Sequence, residues 1–379
     1  MSKPEKLRVL VTAGGTGGHI QPTIAVVAEL QQLAANMGVD LEVRYMGAPG
    51  QFVGLLEGNE IRVQKVAGSK LRRYFSIHNF IDVPKFIYSL FQAVLKMYWF
   101  MPDVVFSKGG TGSVPVILAA RFYRIPVVVH DSDALPGWGS RIGAKFADMV
   151  AVSFPSASKY FPGSQVVYTG NPIRQFLLAD PLSKEKAKGF LGFNIDEPLV
   201  LILGGSQGAQ RINDFIIDVL SDLIGRTQVL HQTGVGDYDR VLSEVGVVAK
   251  NWNEDTKSRY KAIDFFEKDM RIALQAADLI VTRSGANHVF ELAAFGKAAI
   301  LIPLPISVTP SQEANALEYQ STGGGIIMEQ NNLLPNLFID NVTNLLSDSE
   351  KLEAMGNAAR ALYKEDAASN LARIILRYK

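Results

Sequence analysis

The strongest constraint on the fold is a pattern that occurs twice, half a chain apart: an apolar strand, a glycine-rich loop and a helix. In the first copy, residues 7–11 lead into "AGGTGGH" and then into "TIAVVAELQQLAANMG", whose apolar residues have helical spacing. In the second copy, residues 199–203 lead into "GGSQGA" and another helical segment. Strands that alternate with helices predict parallel sheets covered on both faces. We therefore expect an α/β protein with two Rossmann-like, doubly wound domains in tandem.

The predicted domain boundary lies in the turn-rich stretch "YTGNPIRQF" near residues 168–176. We expect a first domain over 1–170 and a second over 171–357. Two domains suit a chain of 379 residues, because domains usually contain about 100 to 200. A C-terminal helix is predicted over about 358–379, and it can pack on either domain, including back on the first.

The composition excludes several classes of function. The 38 Lys and Arg residues balance 37 Asp and Glu residues, so no overall field attracts nucleic acid, and none is expected as a partner. The chain has no cysteine, which excludes disulfides and thiolate chemistry and is compatible with a reducing compartment. Neither a signal peptide nor a membrane span is expected, so the protein is expected to be soluble or to lie on a membrane surface.

Glycine-rich and polar segments follow the predicted strands. Besides the two glycine loops, these are "VVFSKGGTGS", "PVVVHDSDALPG", "LIVTRSGANHVFELAAFG" and "AAILIPLP". Ligands of open parallel sheets bind beyond the carboxyl ends of the strands, so we expect these loops to open toward one crevice between the domains. A glycine loop at a helix N-terminus can offer backbone N–H groups to a diphosphate. No P-loop pattern is present, and the first loop does not fit the G-x-G-x-x-G of a standard NAD fold.

Two histidines follow predicted strands of the first domain. His19 ends the first glycine loop, where its titration range suits a general base, although a lone histidine is more often a structural hydrogen bonder. His130 heads "HDSD" at the end of another strand. Asp131 and Asp133 of that segment are either functional carboxylates or plain turn residues, and the spacing leaves both interpretations open.

The segment "FIDVPKFIYSLFQAVLKMYWFMP" predicts a helix that is apolar and aromatic apart from one narrow polar stripe. The stripe consists of Asp82, Lys85, Ser89, Gln92 and Lys96. A helix this apolar can be buried against the first sheet. In that case Phe80, Ile87 and Val94 are expected to include core positions.

A basic stretch precedes this helix, with Lys70, Arg72 and Arg73 in "SKLRRYFS". Basic residues beside an apolar, aromatic helix are typical of segments that lie on anionic lipid. The helix and the basic stretch together are therefore a candidate for contact with an anionic membrane surface.

Several motifs together resemble the MurG family. They are "AGGTGGHIQPTIAVVAEL", "SKLRRY", "GNPIR", "LGGSQGAQRIN", "HQTG" and "RSGANHVFELAAFGKAAILIPLP". The resemblance implies the glycosyltransferase-B fold, in which two Rossmann-like domains face each other across a cleft. It implies inverting transfer of GlcNAc from UDP-GlcNAc to the MurNAc 4-hydroxyl of lipid I, which forms lipid II in peptidoglycan biosynthesis. It implies no metal or other cofactor, and a peripheral location on the cytoplasmic face of the cell membrane.

The same resemblance implies residues at the reacting centre. His19 matches the best base candidate, and Asp131 is a carboxylate that either assists or replaces it. Thr16, Gly17 and Gly18 match loop residues that contact the phosphate of the donor or the acceptor.

Further residues are implied at the substrates, mainly around UDP-GlcNAc. They are Asp133, Arg174, Ser206, Gln207, Gly208, Phe266, Glu267, Ala286, Asn287, His288, Val289, Phe290, Glu291 and Gln312. Arg174 is expected to contact the donor, Glu291 the ribose hydroxyls and Gln312 the donor sugar. The uracil is expected to meet backbone near Phe266 and Glu267.

The segment "HDSDALPG" departs from the H-E-Q-N-A-x-P-G that the family usually has. Asp131, Ser132 and Asp133 replace Glu, Gln and Asn, and an aspartate only accepts hydrogen bonds where an asparagine also donates. Recognition of the acceptor or of GlcNAc is therefore open in detail. The alternatives are a related glycosyltransferase-B enzyme with another lipid acceptor, a UDP-sugar epimerase, a non-catalytic UDP-sugar-binding protein and a Rossmann oxidoreductase.

Overall fold

The computed structural model describes residues 6–68, 79–204, 209–266 and 269–379, with backbone only for 79–81 and 175. The predicted site residues Ser206, Gln207, Gly208 and Glu267 and the basic residues Lys70, Arg72 and Arg73 lie outside the described residues. The chain forms two compact units. The first comprises Met1–Arg174 with Lys364–Lys379, and the second comprises Gln175–Tyr363.

Strands and helices alternate along both units. The strands are β1 Lys6–Thr12, β2 Asp40–Gly47, β3 Arg62–Lys65, β4 Val104–Ser107, β5 Val127–Asp131, β6 Met149–Val152, β7 Val166–Tyr168, β8 Leu199–Leu203, β9 Gln228–Gln232, β10 Tyr260–Ile263, β11 Leu279–Thr282, β12 Ala299–Leu301 and β13 Gly325–Ile327. The helices are α1 Gly17–Asn36, α2 Val53–Glu57, α3 Asn79–Phe100, α4 Val114–Phe122, α5 Trp138–Ala144, α6 Gln175–Leu178, α7 Lys184–Phe190, α8 Gln210–Ile224, α9 Tyr238–Val248, α10 Glu254–Ser258, α11 Met270–Ala276, α12 Ala286–Phe295, α13 Pro310–Ser321, α14 Pro335–Leu346, α15 Ser349–Ala359 and α16 Ala367–Leu376. Short 3₁₀ turns lie at Gly50–Phe52, Thr111–Ser113, Pro155–Tyr160, Ala249–Asn251, Gln330–Asn332 and Arg360–Leu362.

The first unit is built on a parallel sheet in the order β3-β2-β1-β4-β5-β6-β7. Its central strands are apolar along their whole length because both faces are covered. Along β1, Leu7, Val9 and Val11 pack in a core with α1 and α16, whereas Leu10 packs in a core with α3 and α4. The order of the strands reverses between β1 and β4, so the loops after them lie at the position where such sheets bind ligands.

The second unit repeats this design with a parallel sheet in the order β10-β9-β8-β11-β12-β13. The fully buried Val200 and Ile202 of β8 pack against the apolar face of α8, which includes Ile212, Ile216 and Leu220. The order reverses between β8 and β11, which places the second glycine loop and "TRSGANH" at equivalent positions of this sheet.

Helix α1 begins earlier than the sequence suggests. Its first residue is Gly17, so Gly17, Gly18 and His19 form the first helical turn and not the loop before it. Thr16 is the N-cap, and the N–H groups of His19 and Ile20 both donate to its carbonyl at 3.0 Å. Glycine is a poor helix former, which is why propensity alone hides this start. The main base candidate therefore lies at a helix N-terminus.

The C-terminal segment is not the single helix predicted over 358–379. Helix α15 ends before the 3₁₀ turn Arg360–Leu362, and α16 begins only at Ala367. The Arg360 guanidinium donates to the Ala294 carbonyl at 3.0 Å and holds the turn on the second unit. The chain enters the first unit at Lys364, where α16 packs on α1.

Candidate functional site

The first glycine loop is held from both sides by close backbone contacts. The Gly14 N–H donates to the Gly109 carbonyl at 2.9 Å, which ties the loop after β1 to the loop after β4. A Cβ on Gly15 would lie 2.4 Å from the Ala48 carbonyl oxygen, and a Cβ on Gly110 would lie 2.8 Å from Gly14 Cα. Side chains are therefore excluded at these positions, and the N-terminus of α1 remains accessible at the exposed Gly18.

His19 lies in the first turn of α1 with a defined ring partner. Its Nδ1 atom is 2.8 Å from the Thr16 hydroxyl oxygen, and the residue is half-buried. Burial, together with the positive charge of Lys108, lowers the pKa of His19 to about 4. The ring is therefore neutral near pH 7, which is the form that can accept a proton.

Lys108 is a residue of this site that the sequence analysis did not identify. It directly follows β4, is only 2% exposed, and its ammonium donates to the Ser132 hydroxyl. Burial lowers the pKa of Lys108 to about 8, while the Asp131 and Asp133 carboxylates raise it. The available signal was the position of a lysine between a buried strand and two glycines in "VVFSKGG".

The "HDSD" segment folds back on itself at the end of β5. Asp131 is 5% exposed, and its Oδ1 atom accepts the Asp133 N–H at 2.8 Å. The Ser132 hydroxyl donates to Asn171 Oδ1 at 2.6 Å, which joins this segment to "GNPIR". The two base candidates are thus connected through Lys108: its charge lowers the pKa of His19, and the Asp131 carboxylate raises the pKa of Lys108.

His130 is fully buried under the same segment. Its Nε2 atom is 3.1 Å from the Gly170 carbonyl oxygen and 3.2 Å from the Ser153 hydroxyl. Burial and the Lys108 charge hold the pKa of His130 well below its usual range. His130 is therefore a neutral hydrogen-bonding group inside the first unit.

Arg174 is the last residue of the first unit and is half-exposed. Three positions before it, Asn171 is 1% exposed and accepts from Ser132. The "GNPIR" motif therefore has a buried beginning that is anchored to "HDSD" and a more accessible arginine at its end.

In the second unit, the loop after β11 carries another buried cation that the sequence analysis missed. The Arg283 guanidinium donates to the Ile302 carbonyl at 3.0 Å and to Gln330 Oε1 at 2.5 Å. Burial, together with the nearby Arg211 charge, lowers the pKa of Arg283 to about 10. Arg283 thus remains charged near pH 7 and fastens the loop after β11 to the loop after β12.

Helix α12 starts immediately after this loop and contains the predicted nucleotide segment. Val289 and Phe290 are fully buried in the core, so their side chains do not line a ligand site. Asn287 and His288 are half-buried, and the His288 Nδ1 atom is 3.4 Å from the Thr282 hydroxyl. The remaining predicted residues of this segment are Ala286 and Glu291, which are 8% and 4% exposed.

Gln312, in the first turn of α13, joins the loop after β11 to the loop after β12 at the carboxyl end of the second sheet. Its Oε1 atom accepts the Leu304 N–H at 3.0 Å, and its carbonyl accepts the Ser284 hydroxyl at 2.7 Å. The fully buried Asn315 donates to the Ser284 carbonyl at 3.1 Å and supports the same junction. Phe266 is 2% exposed, which leaves its backbone rather than its ring for a ligand contact.

The polar stripe of α3 faces the sheet over its C-terminal part, whereas Lys85 is exposed. Ser89 is buried, the Gln92 Oε1 atom accepts the Ala67 N–H at 2.9 Å, and the Lys96 ammonium donates to the Lys65 carbonyl. Lys65 belongs to β3 and Ala67 follows it, so these side chains form hydrogen bonds with backbone groups at the edge of the sheet. Within the described part of the chain, no helix is long and apolar enough to cross a bilayer.

The opposite face of α3 is apolar and exposed, and we call it the aromatic face. It consists of Val83, Ile87, Tyr88, Phe91, Leu95, Tyr98 and Trp99. Ile87, which was expected among the core positions, is 61% exposed, because the helix turns its polar stripe toward the sheet. Val94 is partly buried against the core, as expected, and the Phe80 side chain lies outside the described residues. Trp99 is 82% exposed.

The residues described in the structure include no cluster of three or more His, Asp or Glu side chains that could hold a metal ion. The polar groups at the carboxyl ends of both sheets include hydroxyls, amides, backbone N–H groups, the carboxylates of Asp131 and Asp133 and the buried cations Lys108 and Arg283. These groups are suited to binding sugars and phosphates.

Comparisons with known proteins cover both units. The Glycosyltransferase family 28 N-terminal domain matches residues 9–152, and the Glycosyltransferase family 28 C-terminal domain matches residues 199–371. A relative from Clostridium kluyveri is 33% identical over 374 residues, which cover 98% of this chain and 99% of the relative. That relative is named UDP-N-acetylglucosamine–N-acetylmuramyl-(pentapeptide) pyrophosphoryl-undecaprenol N-acetylglucosamine transferase.

Solved structures agree with the sequence matches. The crystal structure of Acinetobacter baumannii MurG has a TM-score of 0.75 at 27% identity and covers 98% of this chain and 99% of that one. UDP-GlcNAc 2-epimerase from Neisseria meningitidis has a TM-score of 0.68 at 15% identity, covering 98% and 100%, a likeness that shows the fold alone. The two parallel-sheet domains are those of a glycosyltransferase-B enzyme, and with a full-length relative at 33% identity the chain belongs to glycosyltransferase family 28, within the MurG family.

Proposed function

We propose that this protein transfers GlcNAc from UDP-GlcNAc to the MurNAc 4-hydroxyl of lipid I and so forms lipid II. The observation that carries the proposal is the first turn of α1, where a neutral histidine stands beside an accessible helix N-terminus. The names of the relatives describe this donor and this class of acceptor. The chain's own residues support the same chemistry.

The proposed reaction needs one proton acceptor and stabilisation of the leaving group. The acceptor oxygen attacks C1 of GlcNAc from the face opposite UDP, the bond from C1 to the diphosphate oxygen breaks, and the hydroxyl proton passes to His19. If the Thr16 hydroxyl accepts Nδ1–H, the lone pair of Nε2 is the basic site. Asp131 is the alternative base, and its 5% exposure makes it the less accessible of the two. Thr16, Gly17 and Gly18 then offer the N-terminus of α1 to a phosphate.

On the donor side, the proposed contacts rest on the family resemblance, and Ser206, Gln207 and Gly208 lie outside the described residues. Arg174 and the second glycine loop, with Ser206, Gln207 and Gly208, hold the diphosphate, and charge on the departing UDP is stabilised there. Gln312 already accepts from Leu304, so a hydrogen bond from its side chain to the sugar comes from its amide nitrogen.

The remaining donor contacts surround the nucleoside. Backbone near Phe266 and Glu267 meets the uracil, and Glu291 takes the ribose hydroxyls. Ala286, Asn287 and His288 contribute the start of α12, while Val289 and Phe290 contribute through backbone only, because their side chains are buried. Asp133 contacts the acceptor or the sugar as a hydrogen-bond acceptor.

We also propose that the aromatic face of α3 attaches the protein peripherally to the cytoplasmic face of an anionic membrane. A contiguous apolar and aromatic surface of this kind is typical of an interaction site and not of a solvated helix. The lipid-linked acceptor requires such attachment, since its reacting sugar stays at the bilayer surface. Sedimentation with anionic vesicles is the direct test, and recovery of the protein entirely in the supernatant contradicts this part of the proposal.

The deciding experiment measures UDP release by the pure protein from UDP-GlcNAc, with and without a short-chain lipid I analogue, and identifies the product by mass spectrometry. We expect release that depends on the analogue, together with formation of the disaccharide. Binding of UDP-GlcNAc without turnover contradicts the proposal and favours the second candidate, a related enzyme with another lipid acceptor. That candidate is favoured by one observation, the Asp133 carboxylate where the family usually has an asparagine.

A further inference from the structure

Lys108 lies where three of the sequence motifs meet, although none of those motifs includes it. Its backbone N–H donates to the Thr12 carbonyl at 2.9 Å, and the carbonyl of the next residue accepts the Gly14 N–H at 2.9 Å. Its side chain donates to the Ser132 hydroxyl, which in turn donates to Asn171 Oδ1 at 2.6 Å. One residue therefore connects the first glycine loop, "HDSD" and "GNPIR".

Four titratable groups from α1, β5 and the loop after β5 interact electrostatically with the Lys108 ammonium. The Asp131 and Asp133 carboxylates face it from the end of β5 and the loop after it, and each raises the pKa of Lys108. Burial, together with the positive charge of Lys108, lowers the pKa of His130 in β5 and of His19 in α1. A buried ammonium is costly unless it is paired with opposite charge, so these carboxylates account for its presence.

The departures of "HDSD" from the usual family pattern coincide with this environment. Position 132 supplies the hydroxyl that accepts from the ammonium, and positions 131 and 133 supply the two carboxylates. An asparagine at 133 brings no charge, whereas an aspartate at this half-buried position adds a negative charge that acts on the buried ammonium. The altered segment and the buried lysine therefore form one electrostatic unit.

We propose that Lys108 is a positioning residue of the transfer site, whose ammonium neutralises Asp131 and Asp133 and fixes "HDSD" against the first glycine loop. This inference rests on the proposed function for its catalytic consequence. Lys108 itself is almost completely buried and is not assigned a contact with substrate. Its effect passes to the reaction through Asp133, which then presents a fixed oxygen, and through His19, whose pKa its charge lowers in addition to burial.

The test is a double-mutant cycle with Lys108→Met and Asp133→Asn, in which kcat is measured for transfer to the lipid I analogue. Lys108→Met leaves two carboxylates without their counterion, and we expect kcat to fall about tenfold or more. The double variant restores the usual family asparagine and removes one of those carboxylates, so it is expected to regain most of that loss. The proposal is wrong if the loss of kcat in the double variant equals the product of the losses in the two single variants. It is also wrong if Lys108→Met has the kcat of wild type.

A second readout does not depend on turnover. The pKa of His19 is measured by NMR of labelled histidine in the full chain, with the resonance assigned by His19→Gln. Removing the Lys108 charge is expected to raise this pKa by about 0.5 unit or more, toward the ordinary value. Ser132→Ala is the matched control, because it removes the hydrogen bond and keeps the charge, and it should leave the pKa close to that of wild type. An unchanged pKa in Lys108→Met overturns the proposal.

The two readouts separate this proposal from the proposed function. If wild type does not form the disaccharide, the proposed function fails, and the titration of His19 still decides whether Lys108 controls the site. If Lys108→Met does not fold, the cycle is run with Lys108→Gln, whose amide still donates to Ser132 without a charge. The same loss of kcat and the same shift in pKa are expected for that variant, and their absence contradicts the proposal.

Discussion

In each sheet the fourth strand in the spatial order, β4 in the first and β11 in the second, is followed by a buried cation. The two cations differ in their partners. Lys108 is 2% exposed and Arg283 is 8% exposed. Lys108 is faced by the carboxylates of Asp131 and Asp133, which raise its pKa. The Arg283 guanidinium donates to backbone carbonyls and to the side-chain oxygen of Gln330, none of which is charged. Burial and the nearby positive charge of Arg211 lower its pKa.

This difference shows how one sheet design supports two kinds of chemistry. In the first unit, carboxylates compensate the buried cation, and a neutral histidine stands close by, which suits removal of a proton from a hydroxyl. In the second unit, two cations reinforce each other at the carboxyl end of the sheet, which suits a diphosphate. The comparison therefore predicts that substitutions in the first unit change turnover and that substitutions in the second change nucleotide affinity.

The largest expected effect comes from His19→Ala. Loss of a general base typically costs about 10²- to 10⁴-fold in rate, so kcat should fall within this range while the Kd for UDP stays near that of wild type. Steady-state kinetics with the lipid I analogue and calorimetry with UDP measure the two quantities. Turnover close to that of wild type removes His19 from this role.

Two controls sharpen the assignment of the base. Thr16→Val removes the hydroxyl that lies 2.8 Å from Nδ1 while retaining the histidine, so its loss of kcat should be smaller than that of His19→Ala. Asp131→Asn tests the alternative base. If Asp131→Asn abolishes turnover and His19→Ala does not, the carboxylate is the base.

The second unit contains a buried histidine whose effect should appear in stability. Burial lowers the pKa of His231 to about 3, although the Asp237 charge raises it. In the unfolded chain this pKa returns to about 6.5, so the unfolded state binds the proton first and stability falls as the pH drops below that value. Between pH 7 and pH 4.5 this histidine should account for about 2 to 3 kcal/mol of the loss, which His231→Gln should remove.

The measurement follows Trp252, which packs against the core of the second unit, during urea unfolding in a Trp99→Phe/Trp138→Phe background. Tyr260→Phe is the matched control, because it removes the hydroxyl 3.0 Å from His231 Nδ1 and keeps the titrating ring. Its dependence on pH should match that of the background. Equal pH dependence in His231→Gln and the background contradicts the assignment.

Arg283→Met tests the donor half of the comparison. Removing this charge is expected to weaken UDP binding about ten- to fiftyfold, because the loop after β11 is no longer fastened and a positive charge beside the proposed nucleotide segment is lost. Calorimetry with UDP gives the Kd, and Lys108→Met is the control, with an affinity expected within about twofold of wild type because its cation is already compensated. Equal losses in the two variants contradict the division of roles between the units.

The fold was largely predictable from the sequence because strands and helices carry local patterns. The predicted strand at 199–203 is confirmed as Leu199–Leu203. Several candidate site residues directly follow strands, as expected. The start of α1 was not predictable, since Gly17 and Gly18 are poor helix formers and yet belong to its first turn. His19 was therefore assigned to the loop although it lies in the first turn of α1, and its role as a base stays a prediction.

The remaining differences have a common cause, which is that they depend on partners distant in the chain. Lys108 is buried only because "HDSD" brings carboxylates to it, and lysine is rarely buried otherwise. The polar stripe of α3 was recognised from its spacing, but its direction depends on the Ala67 N–H and the Lys65 carbonyl near the edge of the sheet. Periodicity shows that a helix has two faces and does not show which of them is exposed.

The smallest expected effect is on vesicle affinity, which should depend on the first unit and not on the second. Trp99→Ser removes the most exposed aromatic ring of α3, which is 82% exposed. Burial of a large apolar side chain contributes about 1.5 to 3 kcal/mol, and a ring at an interface is only partly buried, so vesicle affinity should fall about fivefold. Val247→Ser in the second unit is the matched control, because Val247 is also well exposed, at 74%, and should leave binding unchanged. Equal vesicle binding by the Trp99→Ser variant and wild type, measured by sedimentation at several lipid concentrations, would mean that attachment does not use this face.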